Sequence, residues 1–495
     1  MPPRRSFGNN SLRLYGFLTA AVYLLTVLFY LKGPQVHSRT ARELFAWFIC
    51  LALLFLFWRG YQQIRLADKP LNRTVVGFAV VFCLLAFLVF PFHSTDVFGY
   101  IDRGWQQVHY GENPYENDLN DVPNWRQDPM LREHWIYNPS PYGFLFTLLT
   151  RFITRLGNGN WWLTLALFKA TNVFAYAATA WMLWAAAQRL PYLKSSTVLY
   201  LFLWNPLILM HHIANGHNDV LTGLLVVLAA YLAITKRYFW IVPVLVCATL
   251  LKFAPVLLIP PALILVVKNK GWKVATLSCL LGLALFVVIS FPYLRDWHYL
   301  RLADMRGNAT LIDNSLHSLL IHIFENIARV FSGMAGLHSI VDSAIKFVLR
   351  GGLVVFVLYQ WWKMTKNPIT RVFIEKSSLI LFVLICVASS KFNGWYLGMI
   401  LPLALLMEDE HWLRRLVVLI TATELLSLTF FKQAYMLNYF AMIVIPAWIV
   451  FRQERKRRKL AGPATGPSFG RSCRPPLTDR FMPMPLPNIS LDDTG

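Results

Sequence analysis

Two aspartates, two lysines and one polar turn hold most of the chemistry this chain offers. Asp96 comes four residues after an apolar run that ends at Phe92. A carboxylate at a hydrocarbon boundary is costly and tends to be functional or paired. Desolvation there is expected to raise its pKa, which suits a general base taking a proton from a hydroxyl. Asp102 follows six residues later and on a helix would point partly away from Asp96. It joins the substrate-binding candidates, whereas the acids from Glu116 to Asp128 read as a solvated loop. The turn Asn215-Gly216-His217-Asn218-Asp219 brings two titratable groups, His217 and Asp219, to the end of an apolar span. The same residues also suit a plain capped helix–helix connection. Lys252 and Lys391 are isolated cations at the ends of spans. Two roles fit them, snorkelling to the interface or binding an anion. Arg295, Arg301 and Arg306 carry forks suited to phosphate oxygens, and equally to unselective contact with anionic headgroups.

The elements that position these groups must be membrane spans. The 495 residues are 56% hydrophobic and only 15% charged, with a mean hydropathy of +0.47. Soluble domains carry about 25% charged residues. The composition excludes a cytosolic enzyme, a disordered protein and a coiled coil. Apolar windows recur near 14–32, 41–58, 74–92, 161–186, 196–213, 218–235, 238–251, 253–267, 274–294, 338–361, 372–389, 395–407, 412–430 and 437–451. Many reach the ~20 residues that cross a bilayer as a helix. The expected fold is all-α, a polytopic transmembrane bundle of about 12–14 segments.

Charge sets its orientation. The net charge of +22 sits mostly between spans, so membrane topology explains it and nucleic acid is not an expected partner. Arg4, Arg5 and Arg13, then Arg59, Arg65, Lys69 and Arg73, then Arg189 and Lys194, fall on one side with Lys268, Lys270, Lys273 and Arg414-Arg415. That places both termini in the cytoplasm and two long segments, 93–160 and 295–339, on the outer face, where they are expected to lay amphipathic helices on the membrane. Residues 1–460 form the expected membrane module. The basic run 452–459 contacts anionic lipid, and the Pro-, Gly- and Ser-rich stretch 461–495 reads as a disordered cytoplasmic tail. Five of six cysteines lie inside spans, so no disulfide framework is implied. No Walker A loop, HExxH or dinucleotide fingerprint is present. The first outer segment also lacks a DxD, so no cofactor is expected and a divalent metal is not indicated.

Several short motifs then occur in a meaningful order. Asp96-Val97-Phe98-Gly99-Tyr100 is followed by Gly104, Gly111-Glu112-Asn113-Pro114-Tyr115, Tyr137 and Pro141-Tyr142-Gly143. Further on come Asn205-Pro206, Gly216-His217-Asn218-Asp219, Lys252-Phe253-Ala254-Pro255, Trp395-Tyr396 and Leu401-Pro402. Together they resemble the GT-C glycosyltransferases, and most of all the polyprenyl-phosphate-mannose-dependent α-1,6-mannosyltransferases of lipomannan-type glycolipids. Two motifs depart from that pattern. Tyr142-Gly143-Phe144-Leu145 stands for the usual Tyr-Gly-Pro-Leu, and Asn393-Gly394-Trp395-Tyr396 for a His-Pro-Trp-Tyr-like stretch. A histidine near the donor phosphate is thereby missing, and Lys391 is placed to replace its charge.

The resemblance implies an inverting transfer from a polyprenyl-phosphate sugar to a hydroxyl of a glycolipid or cell-envelope glycan, at the outer face of the plasma membrane. It makes Asp96 the general base. Lys252, Lys391 and the Arg295, Arg301 and Arg306 group would neutralise the leaving phosphate. Tyr142, His217, Asn218, Asp219, Trp395 and Tyr396 would line the sugar or acceptor pocket. The alternatives are another sugar, such as glucose or an aminosugar, and a transporter or flippase of lipid-linked sugars. A transporter should show charges along a membrane-embedded path and inverted repeats. The sequence holds few mid-span ionisable residues, Lys169, Lys346 and Glu424 among them, and no visible repeat.

Overall fold

The computed structural model describes residues 7–67, 69–132, 136–294, 314–330, 337–430 and 439–460, and these are helical with no strand. Arg295, Arg301, Arg306 and the stretch 461–495 lie outside them. The chain up to Val450 packs as one compact unit. It opens with α1 (Phe7–Tyr30) and α2 (Arg39–Leu66) as a hairpin, with α3 (Asn72–Leu88) against α1. Next come α4 (Asp96–His109), α5 (Phe144–Gly157), α6 (Trp161–Ala187) and α7 (Ser195–Leu203). Then follow α8 (Asp219–Ile234), α9 (Ile241–Leu251), α10 (Ile259–Leu294), α11 (Leu316–Val330) and α12 (His338–Lys366). The last elements are α13 (Thr370–Val383), α14 (Leu397–Ala404), α15 (Trp412–Phe430) and α16 (Ile445–Leu460).

Among the described residues, three helices, Asn9–Tyr30, Arg39–Leu66 and Ala254–Leu294, are long and apolar enough to cross a membrane. A fourth candidate is a broken pair, Ser195–Leu203 and Ile208–Ala214, bent by 53°. Phe17, Leu28, Phe55 and Val288 stand exposed on such helices, where water would be a poor solvent and lipid a good one. The molecule is an all-helical membrane bundle. Some segments differ in detail from the apolar windows. Windows 253–267 and 274–294 become two arms of α10, interrupted at Gly271 with φ 79°. Window 395–407 shrinks to a turn at Gly394–Tyr396 and the eight-residue α14.

Two features aim residues at the site. The α7 span breaks at Asn205-Pro206, because proline cannot donate into the helix and clashes with the preceding turn. Asn205 repairs the break, its Oδ1 accepting from Leu207 N–H at 3.0 Å and its Nδ2 donating to Thr421 Oγ1 at 3.0 Å. The chain resumes as a π-helical turn, Ile208–Ala214, which carries His211 and His212 into the core. Secondly, α4 buries Val97, Tyr100 and Ile101 with Phe146, Phe168 and Val220. That cluster fixes the start of α4 against α5, α6 and α8.

The mid-span ionisable residues have local partners. Lys169 Nζ donates to Phe87 O at 2.5 Å and Val89 O at 2.6 Å, satisfying carbonyls at the end of α3. Glu424 faces His211 at 3.1 Å, and Lys346 faces Asp342 at 2.6 Å.

Candidate active site

Asp96 stands in the first turn of α4, with its backbone N–H donating to Ser94 Oγ at 3.2 Å and its side chain 20% exposed. The turn from 215 to 219 is pressed directly onto it. Gly216 adopts φ 79°, and a Cβ there would lie 2.9 Å from Val97, so only glycine lets the turn close. Asn215 Oδ1 accepts from Phe92 N–H and His93 N–H at 2.9 and 2.8 Å, tying the turn to the strand of chain that leads into α4. Asn172 on α6 holds the other side, donating to the His212 and His217 carbonyls.

His217 Nδ1 consequently lies 3.3 Å from Asp96 Oδ2. Its fully buried ring stacks on Trp395, with centroids 3.9 Å apart and planes at 13°. Burial pushes the Asp96 carboxyl up, but contact with His217, the nearby Lys252 charge and Ser94 outweigh it, so the pKa lies below the ordinary aspartate value. The expected rise is thus corrected: burial is present, and its effect is overcome chiefly by His217 and Lys252, both remote in the chain. Burial holds His217 below its ordinary value despite Asp96, which leaves the imidazole neutral near pH 7.

Asp219 begins α8 and pairs with Lys252, which caps the end of α9. Lys252 Nζ also sits 4.3 Å from the Tyr396 ring centroid. One dipeptide therefore supplies a ring to each pair, Trp395 beneath His217 and Tyr396 beneath Lys252. The lone cation of the sequence reading is in fact a partnered one. Asp219 Oδ2 is buried without a hydrogen-bond partner.

Beside these groups lies a cavity of about 780 Å³. Asp96, Asn218, Asp219, Lys252 and Lys391 line it with Tyr142, Trp395 and Tyr396, whereas His217, expected to line the pocket, is fully buried behind them. Phe253, Leu353, Leu384, Ile385 and Met399 add apolar surface to the same cavity. Tyr142 is set edge-on to Tyr100, with centroids at 5.2 Å. Arg350 of α12 also reaches the cavity and escaped the sequence reading. Its only signal is an arginine inside the apolar run Phe347-Val348-Leu349-Arg350.

Asp102 does not join this group. It is fully buried, and its Oδ1 accepts from Arg132 N–H at 3.1 Å, so it anchors the 128–132 loop on α4. Burial drives its pKa well above the ordinary value. Its neighbour Arg103, bonded to Gln106 Oε1 at 3.1 Å and to Asn138 O, lines the cavity instead.

The ionised Asp96 faces the open cavity together with several cations, and the second carboxylate there, Asp219, is paired with Lys252. That arrangement can take a proton from a nucleophile while cations hold an anionic leaving group. The chain is similar to known proteins along much of its length. It is 23% identical over 440 residues to alpha-(1->6)-mannopyranosyltransferase A of Corynebacterium glutamicum, covering 83% of this chain and 86% of that protein. It is 25% identical over 173 residues to alpha-(1->6)-mannopyranosyltransferase A of Mycobacterium tuberculosis, covering 34% and 33%. Residues 16–268 match the family described as alpha-(1->6)-mannopyranosyltransferase, N-terminal domain. That stretch is just over half the chain and contains Asp96, Tyr142, His217, Asp219 and Lys252. The chain belongs to the alpha-(1->6)-mannopyranosyltransferase family.

Proposed function

We propose that this protein transfers mannose from a polyprenyl-phosphate donor to a hydroxyl of a glycolipid or cell-envelope glycan, with inversion and with Asp96 as general base. Family membership supports mannosyl transfer. The observation that carries the rest is that charged groups and apolar side chains line the same 780 Å³ cavity. A lipid-linked phosphosugar has both characters, a greasy chain and an anionic phosphodiester that becomes a dianionic monoester as it leaves.

In this reading the acceptor oxygen attacks the anomeric carbon from the face opposite the phosphate. Asp96 Oδ takes the hydroxyl proton as the new C–O bond forms. The C–O bond to phosphate breaks, and its electron pair leaves with the phosphate. Lys391, Arg350 and the Lys252 side of the Lys252–Asp219 pair balance that charge. Phosphate needs no protonation to leave, so no second carboxylic acid is required. Asp219, the other carboxylate in the cavity, is held by Lys252 and is poorly placed to be a nucleophile. That favours one displacement over the two of retaining enzymes. The same cations remove the need for a metal.

The basic residues between spans support a site on the outer face, with both termini in the cytoplasm. Transport is weakly supported by comparison. Lys169, Lys346 and Glu424 each have a local partner and do not mark a continuous path. The test is a reconstituted assay with purified protein, a crude lipid acceptor extract and radiolabelled polyprenyl-phosphate-mannose, run beside Asp96→Asn. Label should enter a glycolipid with the wild type and fall at least about a thousandfold with the variant. Retained turnover in Asp96→Asn would remove the base assignment, and no transfer by the wild type would remove the donor.

A further inference from the structure

A second cavity, of about 240 Å³, lies between the end of α1, the first turns of α2, the π-helical turn and α15. Arg42 of α2 lines it half-buried, and its Nε is shut from solvent without a hydrogen-bond partner. Among the described residues, no carboxylate pairs with this guanidinium. Glu43, next to it in the chain, is held by Arg39 at 2.8 Å, and Glu424 faces His211 at 3.1 Å. His211 is fully buried, lines the same cavity and leaves its Nδ1 without a partner. A partly desolvated cation without a counter-charge is costly, and so is a buried polar atom left unmet. Two such groups in one cavity define what a ligand there must supply.

A neutral hydroxyl could bond to Arg42 but would leave its charge uncompensated. A phosphate oxygen meets both needs, and the guanidinium fork matches phosphate geometry. His211 fits the same choice. With Glu424 on Nε2, its ring can hold a second proton on Nδ1 and donate it to a phosphate oxygen, so that the imidazolium sits between two anions. The exposed Arg39–Glu43 pair compensates itself and neither attracts nor repels an anion strongly. The surroundings favour a lipid as the source. Helices α1 and α2 are both long and apolar enough to cross a membrane. Leu31 and Leu44, next in the chain to the lining residues Tyr30 and Glu43, are exposed. A headgroup in the cavity would find apolar surface close by for its acyl chains, which a free phosphate cannot use.

We propose that this smaller cavity binds the phosphate of an anionic membrane lipid headgroup through Arg42 and His211. The bound headgroup ties α2 to the π-helical turn, since Arg42 belongs to one and His211 to the other. The site stands apart from the transfer reaction proposed above, and its test needs neither sugar donor nor acceptor.

The experiment uses the full-length protein, delipidated in detergent, with phosphatidylglycerol, phosphatidylcholine and inorganic phosphate as probes. Native mass spectrometry counts bound lipid, and thermal unfolding reports the stabilisation that binding brings. Phosphatidylglycerol should bind and should raise the unfolding temperature more than phosphatidylcholine does. Arg42→Gln should remove one bound phosphatidylglycerol or weaken its binding about tenfold or more, the worth of a charge-assisted contact. Ala46→Phe, which fills the cavity from its α2 wall, should do the same while leaving Arg42 in place. Glu43→Gln takes a negative charge from beside the site and should tighten binding. Arg457→Gln, in the basic run, should leave this lipid bound, which separates the cavity from unselective contacts of that run. Phosphatidylglycerol binding that Arg42→Gln leaves unchanged, or phosphatidylcholine binding just as tightly, overturns the proposal. Inorganic phosphate binding as tightly as the lipid, with loss in the same variants, overturns the lipid as its source.

Discussion

The Asp96–His217 contact makes the base's protonation a property of the pair. With His217 at 3.3 Å, Asp96 stays ionised to below its ordinary pKa, so the acid limb of kcat/KM should lie below about pH 4. Removing His217 deletes the largest effect holding the carboxyl down and leaves burial, which pushes it up. His217→Ala should therefore move the acid limb to higher pH while activity above that limb is partly retained. A limb that stays in place would mean that His217 has no hold on Asp96. The cations divide differently. Arg350→Ala and Lys391→Ala should each raise donor KM by about tenfold or more, the worth of a charge-assisted contact, with a smaller change in acceptor KM. Equal effects on both substrates would count against a phosphate role. Lys252 is a poorer probe, because its loss also strips Asp219 of its partner and leaves a buried charge alone. Charges at apolar boundaries made Asp96, Asp219 and Lys252 visible in the sequence. Arg350 was hidden because a span absorbs an occasional arginine without changing its pattern. Asp102 follows the same logic in reverse: six residues at about 100° each turn it some 240° from Asp96, into the protein.

The element that matters most is the turn between the broken span and α8. It carries His217 and Asn218 and ends at Asp219, and its path depends on Gly216 lying against Val97. Gly216→Ala adds left-handed strain of about 1–2 kcal/mol and a clash with Val97 that the buried Val97 cannot easily relieve. Thermal unfolding should fall by a few degrees and activity should fall with it. Val97→Ala in the same chain makes room and should restore part of the activity; no restoration would show that the φ angle alone carries the loss. Element positions were broadly readable from hydropathy, as the match between 161–186 and α6 illustrates. Element ends were less so. Helix α2 runs to Leu66, past the apolar window ending at 58, because Arg59 and Arg65 are good helix formers that extend it beyond the apolar layer. The break at Asn205-Pro206 was visible as a motif, but its consequence was not. Aiming His211 beneath Trp395 and opposite Glu424 requires contacts more than 180 residues apart, which no local pattern encodes.

At the scale of the whole molecule, the chemistry gathers at one end of the bundle and the basic residues between spans gather at the other. The Asp96 end holds the cavity and the 93–160 segment. The opposite end is closed by polar ties, such as Asn72 Nδ2 donating to Ser195 Oγ at 3.0 Å and Arg371 facing Glu408 at 2.7 Å. A lipid-linked sugar has to present its phosphate at a membrane face, so which end meets the cytoplasm decides which donor pool the enzyme can draw on. In the orientation proposed above, the cytoplasm meets the basic end. Cysteine labelling in intact cells tests that assignment directly. Tyr137, 64% exposed in the first long segment, and Lys270, exposed between the arms of α10, mark the two ends. In a chain whose Cys473 is replaced by serine, Tyr137→Cys should react with a membrane-impermeant maleimide in intact cells. Lys270→Cys should react only after permeabilisation. The reverse pattern would put the site in the cytoplasm, within reach of nucleotide sugars, and the polyprenyl-phosphate donor would lose its main support.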